Sequence, residues 1–81
     1  MEEGRFRFLR VRSLKSAQNK EYYILYVLDL LDFHVEQIFI NQNSYKYLCE
    51  NMNYNDVIDS RISFIFNQKD KCYKIAFNNI I

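Results

Sequence analysis

The chain has 81 residues, is 49% hydrophobic and carries a formal net charge of +1, so its length predicts one domain over residues 1–81 with enough apolar residues for a core. No apolar run approaches the roughly 18 residues of a membrane-spanning helix, and the N-terminus lacks a signal-peptide pattern. Two cysteines are too few for a disulfide scaffold, so we expect a cytoplasmic protein with reduced thiols and no membrane partner.

The low net charge hides three blocks of opposite sign. Residues 1–20 carry six cations and two anions, residues 21–60 carry one cation and seven anions, and residues 61–81 carry four cations and one anion. If the two basic ends meet in the fold, they form a single basic patch, which is typical of proteins that bind polyanions. A mixed solvated surface is the alternative interpretation.

The first predicted strand covers residues 5–14, where arginine alternates with apolar residues. The alternation changes phase between Phe8 and Leu9. A β-bulge at that point would bring all four arginines of the strand to one face: Arg5, Arg7, Arg10 and Arg12. A polar loop is predicted at residues 15–20. Because the chain has one glycine and no proline, we expect asparagines at turns that need the left-handed conformation.

A second strand is predicted over residues 21–30 and a third over residues 33–40, with a bend around Asp32. The second strand is apolar on both faces, one formed by Tyr23, Leu25 and Val27 and the other by Tyr22, Ile24, Tyr26 and Leu28. A small barrel has one interior, so the second face needs another partner. A packed helix, a second subunit and stacked bases are the three candidates.

The hydrophobic period changes to that of a helix within residues 41–52, where Asn43 or Ser44 is the expected N-cap. Two further strands are predicted over residues 57–66 and 72–81. The chain is therefore predicted to be all-β with one short helix, in the order β-β-β-α-β-β. This is the order of the five-stranded, partly open OB-fold barrel, with an SH3-like barrel as the alternative.

Two segments resemble OB-fold single-stranded DNA-binding proteins of the small phage or mobile-element type. In that group the second strand follows a basic loop, has apolar residues at alternate positions and ends in an aspartate, as Tyr23, Leu25, Val27 and Asp29 do here. The pattern "Y..L...M.YND.I" from Tyr45 to Ile58 is similar to the group's helix and its entry into strand four. The family usually has Gly-Asp before that strand, where this chain has Asn55-Asp56.

The ligand face of an OB-fold is formed by its second and third strands and by the loops after strands one and four. Both loops, at residues 15–20 and 67–71, contain lysines here. Cations can follow phosphates while aromatic rings stack on bases, which predicts a nucleic-acid site formed by Arg7, Arg10, Arg12, Lys15, Lys20, Tyr22, Tyr26, Lys69 and Lys71. In the alternative interpretation, the tyrosines pack a dimer and the arginines protect an edge strand.

Enzymatic chemistry has little support in the sequence. Asp29, Asp32 and Glu36 could gather a divalent cation, but a solvated acidic turn is the expected interpretation. His34 has no serine or cysteine nucleophile at a recognisable spacing, and there is no zinc motif or glycine-rich phosphate loop. We therefore expect no catalytic residues, metal or cofactor.

These features predict a protein that binds single-stranded DNA with little sequence preference, with RNA as the alternative polymer. The bias toward Asn, Lys, Ile and Tyr is typical of AT-rich coding, which suggests replication or transfer of a phage or mobile element. A homodimer is expected, because a chain of this size gains stability by burying more surface. The alternative function is a protein-interaction module, such as a phage- or element-encoded inhibitor whose basic face docks on an acidic host protein.

Overall fold

The structure is a computed structural model that describes residues 6–58 and 62–77. Its elements in chain order are β1 (Phe6–Lys15), β2 (Glu21–Asp29), β3 (Val35–Ile40), α1 (Gln42–Asn51), β4 (Val57–Ile58), β5 (Ile62–Asn67) and β6 (Cys72–Phe77). The protein is mostly β with one short helix, as predicted. Arg5 and the last four residues of the predicted fifth strand lie outside the described residues.

The strands form one six-stranded sheet in the order β4-β1-β2-β3-β6-β5. All neighbouring pairs are antiparallel except β3 and β6, which are parallel. Because β4 and β5 follow one another in the chain but lie at opposite edges of the sheet, the sheet curves into a small, nearly closed β-barrel.

The prediction of a single fourth strand over residues 57–66 is wrong. This stretch contains two strands, because its beginning and its end pair with different neighbours. β4 pairs with the start of β1 at Phe6 and Arg7, whereas β5 pairs along its whole length with β6. The sheet therefore has six strands rather than the five expected.

The first strand contains a β-bulge, which is the arrangement that brings its arginines to one face. The register of β1 against β2 shifts between Phe8 and Arg10, so Leu9 is the extra residue. Before the shift Arg7 pairs with Leu28, and after it Arg10 pairs with Tyr26. Paired residues of an antiparallel ladder lie on the same face of the sheet. The bulge therefore places Arg7, Arg10 and Arg12 on one face.

The barrel interior contains the face of β2 opposite the two tyrosines of the predicted nucleic-acid site. Leu25 and Val27 are fully buried, and the cluster also contains Phe6, Phe8, Tyr23, Ile40, Leu48 and Ile58. The helix α1 contributes Leu48, which is 1% exposed. The buried Ser44 Oγ accepts a hydrogen bond from the Ile75 backbone N–H at 2.9 Å, which fastens α1 to β6.

The N-cap of α1 is Asn41, not Asn43 or Ser44 as expected. Asn41 directly follows β3 in extended conformation, and its Oδ1 accepts a hydrogen bond from the Ser44 N–H at 2.9 Å. Asn43 and Ser44 are already helical. Because the strand runs directly into the cap, the helix begins one turn earlier than the apolar spacing indicates. Within the described part of the chain, no helix has the length and apolar character to cross a membrane.

Among the residues that the structure describes, four non-glycine residues have positive φ, and two of them are the asparagines Asn19 and Asn55, at 63° and 77°. Asn55 stands where the resembling family has glycine, so the prediction of asparagine at left-handed turns is confirmed. The third, Phe33, has φ 58° and belongs to the β2–β3 turn, where its N–H bonds the Asp29 carbonyl at 2.8 Å. Because of this turn, β3 begins at Val35 and not at residue 33, the predicted start of the third strand.

Candidate nucleic-acid interface

One face of the barrel, which we call the outer face, is formed by the outward residues of β1, β2 and β3. The strand registers arrange its residues in three rows, which are Arg7–Leu28–Val35, Arg10–Tyr26–Gln37 and Arg12–Ile24–Phe39. A column of arginines therefore lies beside a column of aromatic and apolar residues, at the strand spacing of about 4.8 Å. The arginines form one column because the bulge at Leu9 brings Arg10 and Arg12 to the same face as Arg7.

The three arginines differ in how free their guanidinium groups are to bind an external anion. Arg10 and Arg12 are exposed, and among residues 6–58 and 62–77 neither forms an ion pair. Arg7 is half-buried, and its Nη1 donates a hydrogen bond to the Asn55 carbonyl at 3.1 Å. Arg10 and Arg12 can therefore turn their guanidinium groups to an external anion, whereas Arg7 also fastens β1 to the loop before β4.

Both predicted tyrosines lie on the outer face, but they differ in exposure. Tyr22 is 36% exposed, and its ring centroid is 6.2 Å from that of Phe39, which is 49% exposed. Tyr26 is half-buried in the row of Arg10. Ile24, between the two tyrosines in β2, is only 6% exposed. The rings of Tyr22 and Phe39 thus form the more open aromatic surface, and Ile24 is covered.

Sequence reasoning missed Phe39. The signal that could have found it is the alternation of β3, because Val35, Gln37 and Phe39 share a face. A β2–β3 hairpin then places that face beside Tyr22, Ile24 and Tyr26. The register, which only the structure supplies, pairs Phe39 with Ile24.

The predicted lysines are all exposed; Lys15 is the last residue of β1, and the others lie in loops or turns. Lys15 and Lys20 flank the β1–β2 hairpin, where Lys15 pairs with Glu21. Lys71, in the β5–β6 turn, lines a cavity of about 270 Å³ together with Tyr22, Phe39 and Glu21. The structure therefore brings one predicted lysine, Lys71, to the aromatic rings of the outer face.

The basic blocks of residues 1–20 and 61–81 come together only in part. Lys71 reaches the end of the outer face at Tyr22, whereas Arg7 lies at the opposite end, in the row of Leu28. From Arg7 to Lys15 the strand advances roughly 26 Å, at about 3.3 Å per residue. Asp70 and Glu21 line the same cavity as Lys71, so the charge there is mixed. Lys69 is exposed on the same turn.

The turn between β2 and β3 is acidic and carries the only histidine. Ligand atoms of Asp29, Asp32 and His34 all lie within 4.8 Å of one another, a spacing at which these three residues could hold a divalent cation. His34 Nε2 bonds Glu36 at 2.5 Å, and its Nδ1 bonds Asp32. The hydrogen bonds to Glu36 and then Asp32 raise the pKa of His34 above 6.5. Both ring nitrogens are thus engaged by carboxylates that favour the imidazolium.

The two cysteines are free, with Cys49 exposed and Cys72 half-buried. Burial, followed by the nearby Asp70 carboxylate, raises the pKa of the Cys72 thiol. A raised pKa keeps this thiol protonated at neutral pH, and a protonated thiol is a poor nucleophile.

Comparison with family models, curated proteins and solved structures found no match for this chain. The fold and the site together define a class, which is a small β-barrel with a three-stranded face of arginines beside aromatic rings.

Proposed function

We propose that the protein binds single-stranded DNA, with little sequence preference, on the outer face and its bordering loops. The observation that carries this proposal is the parallel arrangement of two columns, one with the exposed Arg10 and Arg12 and the other with Tyr22 and Tyr26. A single strand presents a line of phosphates and a line of unstacked bases side by side. Cations that follow the first line and rings that stack on the second bind every sequence alike.

The arginines favour recognition over simple solvation of the surface. A guanidinium can bind a phosphate through two hydrogen bonds or stack on a base, whereas a lysine ammonium acts as a point charge. The exposed ring of Phe39, in the row of Arg12, extends the stacking surface to β3. Lys71 adds a cation at the Tyr22 end of the face.

We further propose that the barrel is an OB-fold. Three features support this assignment: β1, β2 and β3 form a meander, α1 follows the third strand, and β3 pairs with the last strand in parallel. In this assignment β4 and β5 are the two halves of the fourth OB strand. A ten-residue helix at this position does not suit the alternative SH3-like barrel.

The proposed biological setting is replication or transfer of a phage or mobile genetic element, in a cytoplasmic compartment. Its support is the AT-rich coding bias of the sequence and the small size of the chain. A protein that coats transient single strands needs affinity for the backbone and tolerance of any base order, and the outer face offers both.

Fluorescence anisotropy with a labelled oligo-dT strand at two salt concentrations tests the proposal. If about four phosphates are neutralised, the slope of log K against log salt should be near −3, at roughly −0.7 per phosphate of a single strand. Equal affinity at both salt concentrations would reject the electrostatic role of the arginines. The absence of binding at low salt would reject the function altogether.

The same experiment separates the second candidate function. The column of Arg10 and Arg12 also fits an acidic protein surface, as an inhibitor of a host protein would require. An inhibitor of this kind binds no oligo-dT at low salt. Oligo-rU and duplex DNA in parallel titrations distinguish RNA and duplex binding from the proposed single-stranded DNA binding.

A further inference from the structure

We infer that two copies of this chain associate through the free edge of β3, with the two β3 strands antiparallel about a two-fold axis at Gln37. This inference goes beyond the proposed function, because it concerns a different edge of the molecule and a different partner. It also assigns the expected homodimer to a specific interface. The outward residues of β1 and β2 then remain free for the ligand, and Phe39 of β3 contacts the partner subunit.

The edge of β3 is open over most of its length. On one side, every residue from Val35 to Ile40 pairs with β2. On the other side, within residues 6–58 and 62–77, the only residue pair is Ile40 with Tyr73 of β6. The stretch from Val35 to Ile38 therefore presents backbone N–H and C=O groups, at alternate residues, to which another strand can pair.

This edge has one of the features that normally prevent strands from pairing between molecules, an inward-pointing charge, and lacks the others. Natural edges carry lysine, proline or a bulge, or point a charge inward. The sequence of β3, VEQIFI, has no lysine and no proline, and its ladder with β2 runs without a register shift. Its one charged residue is Glu36, whose carboxylate is bonded to His34 Nε2 at 2.5 Å. Glu36 lies on the inner side of the sheet, on the same side as its ladder partner Val27.

Only one antiparallel register suits two copies of this edge. With the axis at Gln37, Glu36 lies opposite the partner's Ile38 and Val35 lies opposite the partner's Phe39. An axis at Glu36 would place two like charges directly opposite each other, which is destabilising. An axis at Ile38 would use Ile40, whose edge is already paired with Tyr73. An axis midway between two residues would place a residue of the outer side of the sheet opposite a residue of the inner side, and paired residues of a ladder lie on the same side.

The chosen register also covers exposed apolar surface. Val35 is 55% exposed and Phe39 is 49% exposed. On the outer side of the joined sheet, Val35 of each subunit contacts Phe39 of the partner subunit. Pairs of an aromatic and a β-branched residue across strands are favourable. A groove of about 450 Å³ lies between β3 and the aromatic residues Phe64, Phe66 and Tyr73. It provides room for the incoming strand, which would also cover the half-exposed ring of Phe66.

The mass of the full chain in solution is the first test. We expect sedimentation equilibrium at tens of micromolar to give twice the chain mass of 9.9 kDa. Val35→Lys places a lysine on the edge, opposite the partner's Phe39, and should return the mass to that of one chain. The control Ile65→Lys changes a residue of similar exposure in β5, away from the groove, and should remain dimeric. A single-chain mass for the unmodified protein, or a Val35→Lys variant that is still dimeric, overturns the inference.

A cross-link tests the register directly. Gln37→Cys in a background with Cys49→Ser and Cys72→Ser places two thiols on the axis, with Cβ atoms about 5 Å apart across the strand pair. This is close enough for a disulfide with a small adjustment of the backbone. Oxidised glutathione should convert this variant to a covalent dimer at least tenfold faster than the control Arg10→Cys in the same background. Equal rates for the two variants overturn the proposed axis.

Neither measurement contains nucleic acid, so each result is independent of oligo-dT binding. A dimer that binds no oligonucleotide supports this inference and rejects the proposed function. A monomer that binds one overturns this inference and supports the function.

Discussion

Leu25 and Tyr26 are neighbours in β2 that point to opposite sides of the sheet, and replacing each by alanine should separate stability from binding. Leu25 is fully buried in the barrel core. Tyr26 is half-buried on the outer face, beside Arg10. The two substitutions remove side chains one residue apart, so any difference in their effects reflects the face and not the position along the strand.

The expected magnitudes are large enough to be distinguished. Leu25→Ala removes a fully buried side chain, which costs about 2.7–5 kcal/mol of unfolding free energy. For a domain of this size, each kcal/mol lowers the melting temperature by about 4–8 °C. Tyr26→Ala removes one stacking ring, which weakens binding by about 1–3 kcal/mol, or roughly 5- to 150-fold in affinity. Its effect on melting should be much smaller than that of Leu25→Ala.

Thermal melts followed by circular dichroism, paired with anisotropy titrations of oligo-dT, measure both quantities. Tyr26→Phe is the matched control, since it keeps the ring and should keep most of the affinity. If Leu25→Ala does not fold, Leu25→Val supplies a milder cavity for the melt. A Tyr26→Ala variant that melts early and binds normally would refute the assignment of this ring to the ligand.

Three further outcomes are expected. Arg12→Ala should reduce the salt slope of oligo-dT binding by about 0.7 in magnitude, whereas Lys46→Ala on the helix should leave it unchanged, as paired titrations will show. The pKa of His34, followed by NMR titration, should lie above 6.5 and fall toward that value in Glu36→Gln. Because the folded pKa is raised, the stabilisation is complete below pH 6.5 and is lost as the pH rises through the folded pKa. Asn41→Ala removes the N-cap and should cost about 1 kcal/mol in chemical denaturation, and an unchanged midpoint would contradict that role.

The candidate site shows which features a short stretch of sequence can predict. The arginine column could be recognised as a possibility because the phase change at Leu9 is a property of ten consecutive residues. That a bulge resolves the phase change was decided by the pairing with β2. The exposure of the site residues could not be predicted in the same way. Ile24 belongs to the outer face by alternation and is nevertheless covered. Exposure depends on the neighbours that a strand acquires in the folded sheet.

By itself, the sequence determined the strand-rich class, the single helix and the division of β2 into two apolar faces. These follow from hydrophobic periods of two and of about four residues, which any short window of chain displays. Only the tertiary structure decided that the described residues of 57–66 divide between two partners, that within the described chain β3 pairs with β6 at Ile40 alone, and that Phe39 packs beside Tyr22. These features depend on pairing between segments far apart in the chain. Such pairing is selected by loop closure and packing of the whole barrel, and no local window records it.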